Sequence, residues 1–184
     1  LFRPFPAPHP EELVVVAQLD EHTTVFPHDL SYPEYVDYRD LNQVFDGLAA
    51  FDSDRPILTA SETAGPVRVE YVSRNFFDVL RVDAAVGRTF LPSEGREPGD
   101  APVVVLSHRV WQNRFGADPS VVGRVVRLGS TEHTVVGVTP EWFVFTDGNL
   151  AAELYTPITQ IGLVRAGRGD VLTNRRSEEF QLIG

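Results

Sequence analysis

The longest run of mutually consistent hydrophobic and polar positions covers residues 101–143, APVVVLSHRVWQNRFGADPSVVGRVVRLGSTEHTVVGVTPEWF. Its first apolar block, residues 103–106, predicts a buried strand that passes directly into a helix capped by Ser107. Val110, Trp111 and Phe115 put three large side chains on one side of that helix, and Gly116 stands where a left-handed C-cap is expected. After a turn at Asp118, Pro119 and Ser120, residues 124–128 and 131–138 read as strands joined by the two-residue loop Gly129-Ser130. Trp142 and Phe143 are expected to cover the end of the second strand.

The same patterning organises the rest of the chain. Residues 31–51 predict one long amphipathic helix: Ser31 and Glu34 form a capping box, Pro33 is tolerable in the first turn, and Tyr32, Tyr35, Val36, Val44, Phe45, Leu48 and Phe51 recur at three-and-four spacing. Upstream, residues 12–20 carry Leu13, Val14, Val15, Val16 and Leu19, which predicts a buried strand. A turn-rich connection at 52–56 leads to an apolar strand at 57–60. Val67, Val69 and Tyr71 then alternate with Arg68 and Glu70, as in a strand with one wet face. Ser73 is expected to cap a short helix carrying Phe76, Phe77 and Leu80, followed by a brief strand at 86–90 and a loop at 91–102. Strands are expected again at 153–158 and 179–183. The first ten residues hold proline at positions 4, 6, 8 and 10, which favours an extended strut.

Composition narrows the class. A chain of 184 residues, 42% hydrophobic and 23% charged, can bury a core without metal or disulfide, and its apolar runs are far short of the roughly 20 residues of a membrane span. A formal charge of -10 argues against nucleic acid and anionic lipid surfaces as partners, because both are bound by neutralising dense negative charge. All 16 basic residues are arginine, a compositional bias with no basic patch behind it. The lack of cysteine removes thiolate chemistry, and the lack of methionine reads as a piece of a longer protein.

Candidate chemistry is sparse. Asp20, Glu21, His22, His28 and Asp29 are the closest set of metal-type ligands, but a strand-to-loop passage gives them no common face, so they read as loop residues. Ser107 and His108 invite a serine hydrolase reading. Adjacent helical residues diverge, however, and no G-x-S-x-G turn precedes them, which favours capping. Glu94, Glu97 and Asp100 lack the ligand pattern of a calcium loop, and the glycines form no phosphate-binding motif. No catalytic, cofactor-binding or metal-binding residue is assigned, and no cofactor is expected.

Several passages, in order, carry a family likeness: residues 1–14 (LFRPFPAPHPEELV), 31–51 (SYPEYVDYRDLNQVFDGLAAF), 72–90 (VSRNFFDVLRVDAAVGRTF), 103–143 and 153–158 (ELYTPI). Together they resemble the MacB-like periplasmic core domain of ABC-transporter permeases. The resemblance implies an α+β fold, with a porter-like α/β subdomain and an inserted, mostly-β subdomain containing short helices. Residues 1–9 would be a proline-rich lead from a transmembrane helix, 10–52 plus 174–184 the porter-like part, and 53–173 the insertion. A further helix and strand would be expected beyond Gly184 to complete the porter-like part.

The resemblance also implies function: a non-catalytic domain on the extracytoplasmic, periplasmic face of the membrane, transmitting movement driven by a cytoplasmic ABC ATPase. It would dock a periplasmic adaptor or a lipoprotein carrier, within a dimeric parent protein; no residue of the sequence marks the docking surface. The competing expectation is an extracytoplasmic module that binds a small molecule or peptide in an apolar pocket between the two subdomains.

Overall fold

The valine-rich runs form the middle of one mixed sheet. The structure is a computed structural model that describes residues 6–16, 18–20, 23–60, 63–147, 150–165, 167 and 169–184. In chain order its strands are β1 (Val15–Val16), β2 (Gln18–Asp20), β3 (Thr23–His28), β4 (Ala49–Asp54), β5 (Ile57–Ala60), β6 (Thr63–Pro66), β7 (Val69–Val72) and β8 (Val86–Gly87). They continue with β9 (Val103–Leu106), β10 (Val125–Leu128), β11 (Thr131–Val138), β12 (Thr146–Asp147), β13 (Leu150–Ala151), β14 (Leu154–Pro157) and β15 (Gln181–Ile183). The α-helices are α1 (Tyr32–Leu41), α2 (Phe76–Val79), α3 (His108–Phe115) and α4 (Ile161–Val164).

Among the described residues, eleven strands share the main sheet in the order β1-β15-β4-β7-β14-β9-β11-β10-β5-β6, with β8 added alongside β11. The pairs β7/β14 and β9/β11 are parallel and the other pairs antiparallel. Strands β1, β15 and β4 stand together at one end, so residues 10–52 and 174–184 meet there. The hairpin β2/β3 and the short pair β12/β13 lie off the sheet.

Both faces of the sheet are covered, which explains the unbroken apolar strands. On one face Ala50, Val69, Tyr71, Val104, Leu106, Leu154 and Leu182 pack with Tyr35 of α1, Val110 of α3 and Ile161 of α4. On the other, Ala49, Phe51, Val72, Val105, Tyr155 and Ile183 pack under Phe76 and Phe77 of α2 and under Phe90, Phe143 and Phe145. The rings there meet edge to face, Phe51 and Phe145 with centroids 5.0 Å apart. A strand with a wet face at 67–71 is therefore corrected: every residue of β7 is buried, Glu70 included, because α2 and its neighbours close the second face.

The predicted helix over 31–51 is also corrected. Its start is as read: the Ser31 hydroxyl accepts from the Glu34 amide, and the Glu34 carboxylate accepts from the Ser31 amide at 2.8 Å. Its end comes ten residues earlier, because the Asn42 side chain accepts from the amides of Val44 and Phe45 at 3.2 and 2.8 Å and turns the chain. Val44 is left 84% exposed, while Leu48 and Phe51 are buried as part of the approach to and body of β4. That strand also absorbs Asp52 and Asp54, which the sequence suggested as a turn.

Three smaller corrections follow. Residues 12–20 are no continuous buried strand: Val14 and Val15 are about half exposed at the sheet edge, and β1 and β2 are separate short strands. Ser73 does not cap α2; its hydroxyl donates to Asn75 and accepts from the Ala50 amide, tying β7 to β4. Trp142 is 54% exposed, and Phe143 alone of that pair is buried. Around α3 the reading holds, with Ser107 capping, Gly116 at φ 61° and β10 and β11 forming a hairpin across Gly129-Ser130.

Candidate functional site

Of the residues singled out from sequence, Ser107, His108, Glu94 and Asp100 have side chains engaged by their own neighbours. Ser107 Oγ is buried and accepts from the Val110 amide at 3.3 Å, while the His108 ring lies edge-on to Trp111 with centroids 5.3 Å apart. The serine and histidine thus serve different neighbours. Glu94 receives both arms of Arg88 at 2.8 Å; burial alone would raise its pKa, but the hydrogen bonds from Arg88 and the Leu91 amide hold it below the usual carboxylate range. Asp100 accepts from the amides of Gly95 and Arg96, and Glu97 is exposed. Glu94 and Asp100 brace a loop. Asp20 and His28 belong to the β2/β3 hairpin, which replaces the strand-to-loop passage read from sequence; Asp29 follows it, and Glu21 and His22 lie outside the described residues.

The polar centre that the structure does build was not read from sequence. Arg165, at the end of α4, lies 2.7 Å from Asp52, 2.9 Å from Asp54 and 3.1 Å from Glu179, and donates to the Ser53 carbonyl at 2.6 Å. Its guanidinium stands over the Tyr71 ring, 5.2 Å from the centroid. Burial pushes the Asp52 carboxyl up to about 6, a rise that the Arg165 charge only partly opposes. The group therefore pins α4 and the approach to β15 onto β4. No local signal could reveal it, since Arg165 and Asp54 are separated by 111 positions.

Described residues line two surface recesses. One, of about 430 Å³, lies among Leu13, Val44, Phe45, Val79, Arg81 and Gly184, where the N-terminal lead meets the end of β15. His9 and Glu12 also line it, and with Glu11 they bring one ligand atom each within 4.8 Å of one another, but all three are exposed and Glu12 already pairs with Arg81 at 2.9 Å. The other recess, of about 240 Å³, lies between α1 and the 91–102 loop and is walled by Tyr32, Tyr35, Arg39, Arg74 and Arg96. Neither of these two recesses brings together a nucleophile, a base and an orienting group, and among the described residues no helix is long and apolar enough to cross a membrane.

The described residues form an α+β sheet with short helices on both faces, braced by buried ion pairs. The chain belongs to the MacB-like periplasmic core domain family, whose family model matches residues 5–179. Domains of this family are non-catalytic, extracytoplasmic parts of ABC-transporter permeases.

Among relatives, the "Probable syringafactin export ATP-binding/permease protein SyfD" of Pseudomonas syringae pv. tomato is 37% identical over 70 residues, covering 38% of this chain and 10% of that protein. The "Probable export ATP-binding/permease protein MacB" of Pseudomonas entomophila is 33% identical over 75 residues, 41% of this chain and 11% of that protein. The chain thus spans about a tenth of the length of the curated relatives it matches. In fold it is similar to a domain of a putative permease from Porphyromonas gingivalis, with TM-score 0.71 at 16% identity, covering 96% of this chain and 76% of that one. The periplasmic region of MacB from Actinobacillus actinomycetemcomitans gives 0.65 at 14% identity, covering 93% and 72%.

Proposed function

We propose that this domain transmits ATP-driven movement of a parent export permease to a partner or cargo on the extracytoplasmic side. The observation that carries the reading is the family match over residues 5–179, supported by a sheet that runs unbroken from the β1 edge to the β6 edge. Such a sheet, covered on both faces, moves as one body and suits the passage of force better than a jointed pair of lobes. The parent would be an integral membrane protein of the inner or cell membrane, working as a dimer with a cytoplasmic ABC ATPase. A periplasmic adaptor or a lipoprotein carrier would be what the domain grips.

Within this reading, residues 10–52 and 174–184 form a porter-like part and 53–173 an insertion, with 1–9 leading from a membrane helix. The adjacency of β1, β4 and β15 supports that division. Reading the parent gene on both sides of this stretch tests the proposal. Apolar segments of about 20 residues should flank it, and an ATPase domain should occur in the same or an adjacent gene; finding neither would sink it. The second reading, a small-molecule module, is favoured by the 430 Å³ recess, which falls within the usual size range of ligand pockets, about 300–1,000 Å³. A saturable thermal shift with a metabolite would promote it.

A further inference from the structure

The recess between α1 and the 91–102 loop is lined by three arginines. The molecule carries a formal charge of -10, yet Arg39, Arg74 and Arg96 converge on this one hollow of about 240 Å³. Arg74 makes no side-chain hydrogen bond or ion pair among the described residues, although Tyr32, Tyr35 and the Asp40 carboxylate all feel its charge. Arg39 is the most engaged of the three: its Nε and Nη2 donate to Asp40 at 2.7 and 3.0 Å and its guanidinium stands 5.6 Å from the Tyr35 ring centroid, so Nη1 is the nitrogen it turns to a further acceptor. Arg96 spends Nε on the Pro92 carbonyl at 2.9 Å and keeps its terminal nitrogens.

The hollow is also held in shape. Gly95, at φ +68°, packs so closely that a Cβ there would stand 2.8 Å from Pro157 Cβ, and the amides of Gly95 and Arg96 are fixed by Asp100. Gln160 in turn donates to the Asp100 carbonyl, so the loop carrying Arg96 is fastened to the segment after β14. The site opens beyond the carboxyl ends of the parallel pair β7/β14, where Ser73 and Ile158 line it, a position that α/β sheets commonly use for ligands.

We infer that this recess binds a phosphate dianion, free or as the headgroup of a phosphomonoester. Arg74 and Arg96, with the remaining Nη1 of the Asp40-paired Arg39, match the two charges and several acceptor oxygens of phosphate better than those of a single carboxylate. The volume lies below the roughly 300 Å³ at which drug-sized ligands are accommodated, so the hollow suits a headgroup with few attached atoms. Tyr32 offers an aromatic wall to those atoms. Nothing in this inference depends on coupling to an ATPase, so it survives if the transport reading fails.

The test is calorimetric titration of the 184-residue chain with inorganic phosphate and with glycerol phosphate at low salt, beside sedimentation with vesicles containing phosphatidic acid. Saturable binding that weakens about tenfold in Arg74→Gln, and is unchanged in Arg109→Gln outside the recess, is the expected result, each lost charge-assisted contact removing roughly that factor. Binding of the soluble probes alone assigns the site to free phosphate; retention on vesicles that Arg74→Gln abolishes assigns it to a lipid headgroup. Absence of saturable binding by every probe, or equal binding by Arg74→Gln and the parent chain, overturns the inference. Arg74 is exposed, so the variant should melt with the parent, and its melting curve shows that a lost affinity is not a lost fold.

Discussion

Asp52 Oδ2 lies 2.7 Å from Arg165 Nη1, yet the Asp52 carboxyl is pushed up to about 6. Burial outweighs the attraction of Arg165 and the Ser53 amide, with Glu179 adding a second negative charge nearby. Because the folded value exceeds the ordinary 3.8, the native state holds a proton that the unfolded chain releases between about pH 4 and 6, so this group costs stability as pH rises through that window.

Asp52→Asn should therefore flatten the pH dependence between 4 and 6 and leave the protein at least as stable as the parent at pH 7.5. Arg165→Gln should cost about 3 kcal/mol, since it strands Asp52, Asp54 and Glu179 together without their cation. Denaturant melts of the two variants check this. Equal destabilisation by both would show that the attraction, not burial, governs Asp52.

His133 predicts the opposite slope. It is buried in β11, with Nδ1 bonded to the Thr131 carbonyl at 3.1 Å and Nε2 lacking a partner among the described residues, and burial pushes its pKa below 6.5. The unfolded chain takes up a proton near pH 6.5 before the folded chain does, so stability present above that pH is lost as acid is added. His133→Gln should remove this part of the slope, read as the difference between variant and parent melting temperatures across pH 5–8. An unchanged difference across that range would contradict the assignment.

Ser107→Ala should cost about 1 kcal/mol and nothing more, the typical price of a lost helix cap, and Ser107→Thr should recover most of it. Urea unfolding measures both. Recovery by threonine would fit the cap; failure of threonine to restore stability would count against it.

Gly137 stands at the irregular register where β8 and β9 both meet β11, and a Cβ there would lie 2.1 Å from the Arg88 carbonyl oxygen. Gly137→Ala should cost about 2–3 kcal/mol by forcing these strands apart. Gly169→Ala, where a Cβ meets nothing within 4 Å, is the control and should be nearly neutral in the same thermal melts.

How far the sequence could be read follows from how local each determinant is. The Ser31 box, the Ser107 cap, Gly116 and the Gly129-Ser130 hairpin act within a few residues and were legible. The end of α1 was not, because a helical spacing of apolar residues ran on past Asn42 into residues that pack as a strand. Burial of Glu70 was hidden for a similar reason: alternation shows which positions share a face but not whether a helix covers the other one. The Arg165 group and the arginine recess join segments far apart in the chain, so only the folded sheet brings them together.

The central claim concerns force, and one measurement reaches it directly. In the complete transporter reconstituted in vesicles, residues 10–184 are replaced by a flexible Gly/Ser linker, and export is measured beside ATP hydrolysis. The account predicts that hydrolysis continues while export stops, because the part that passes movement to the far side is gone. Export persisting at the parent rate would contradict it.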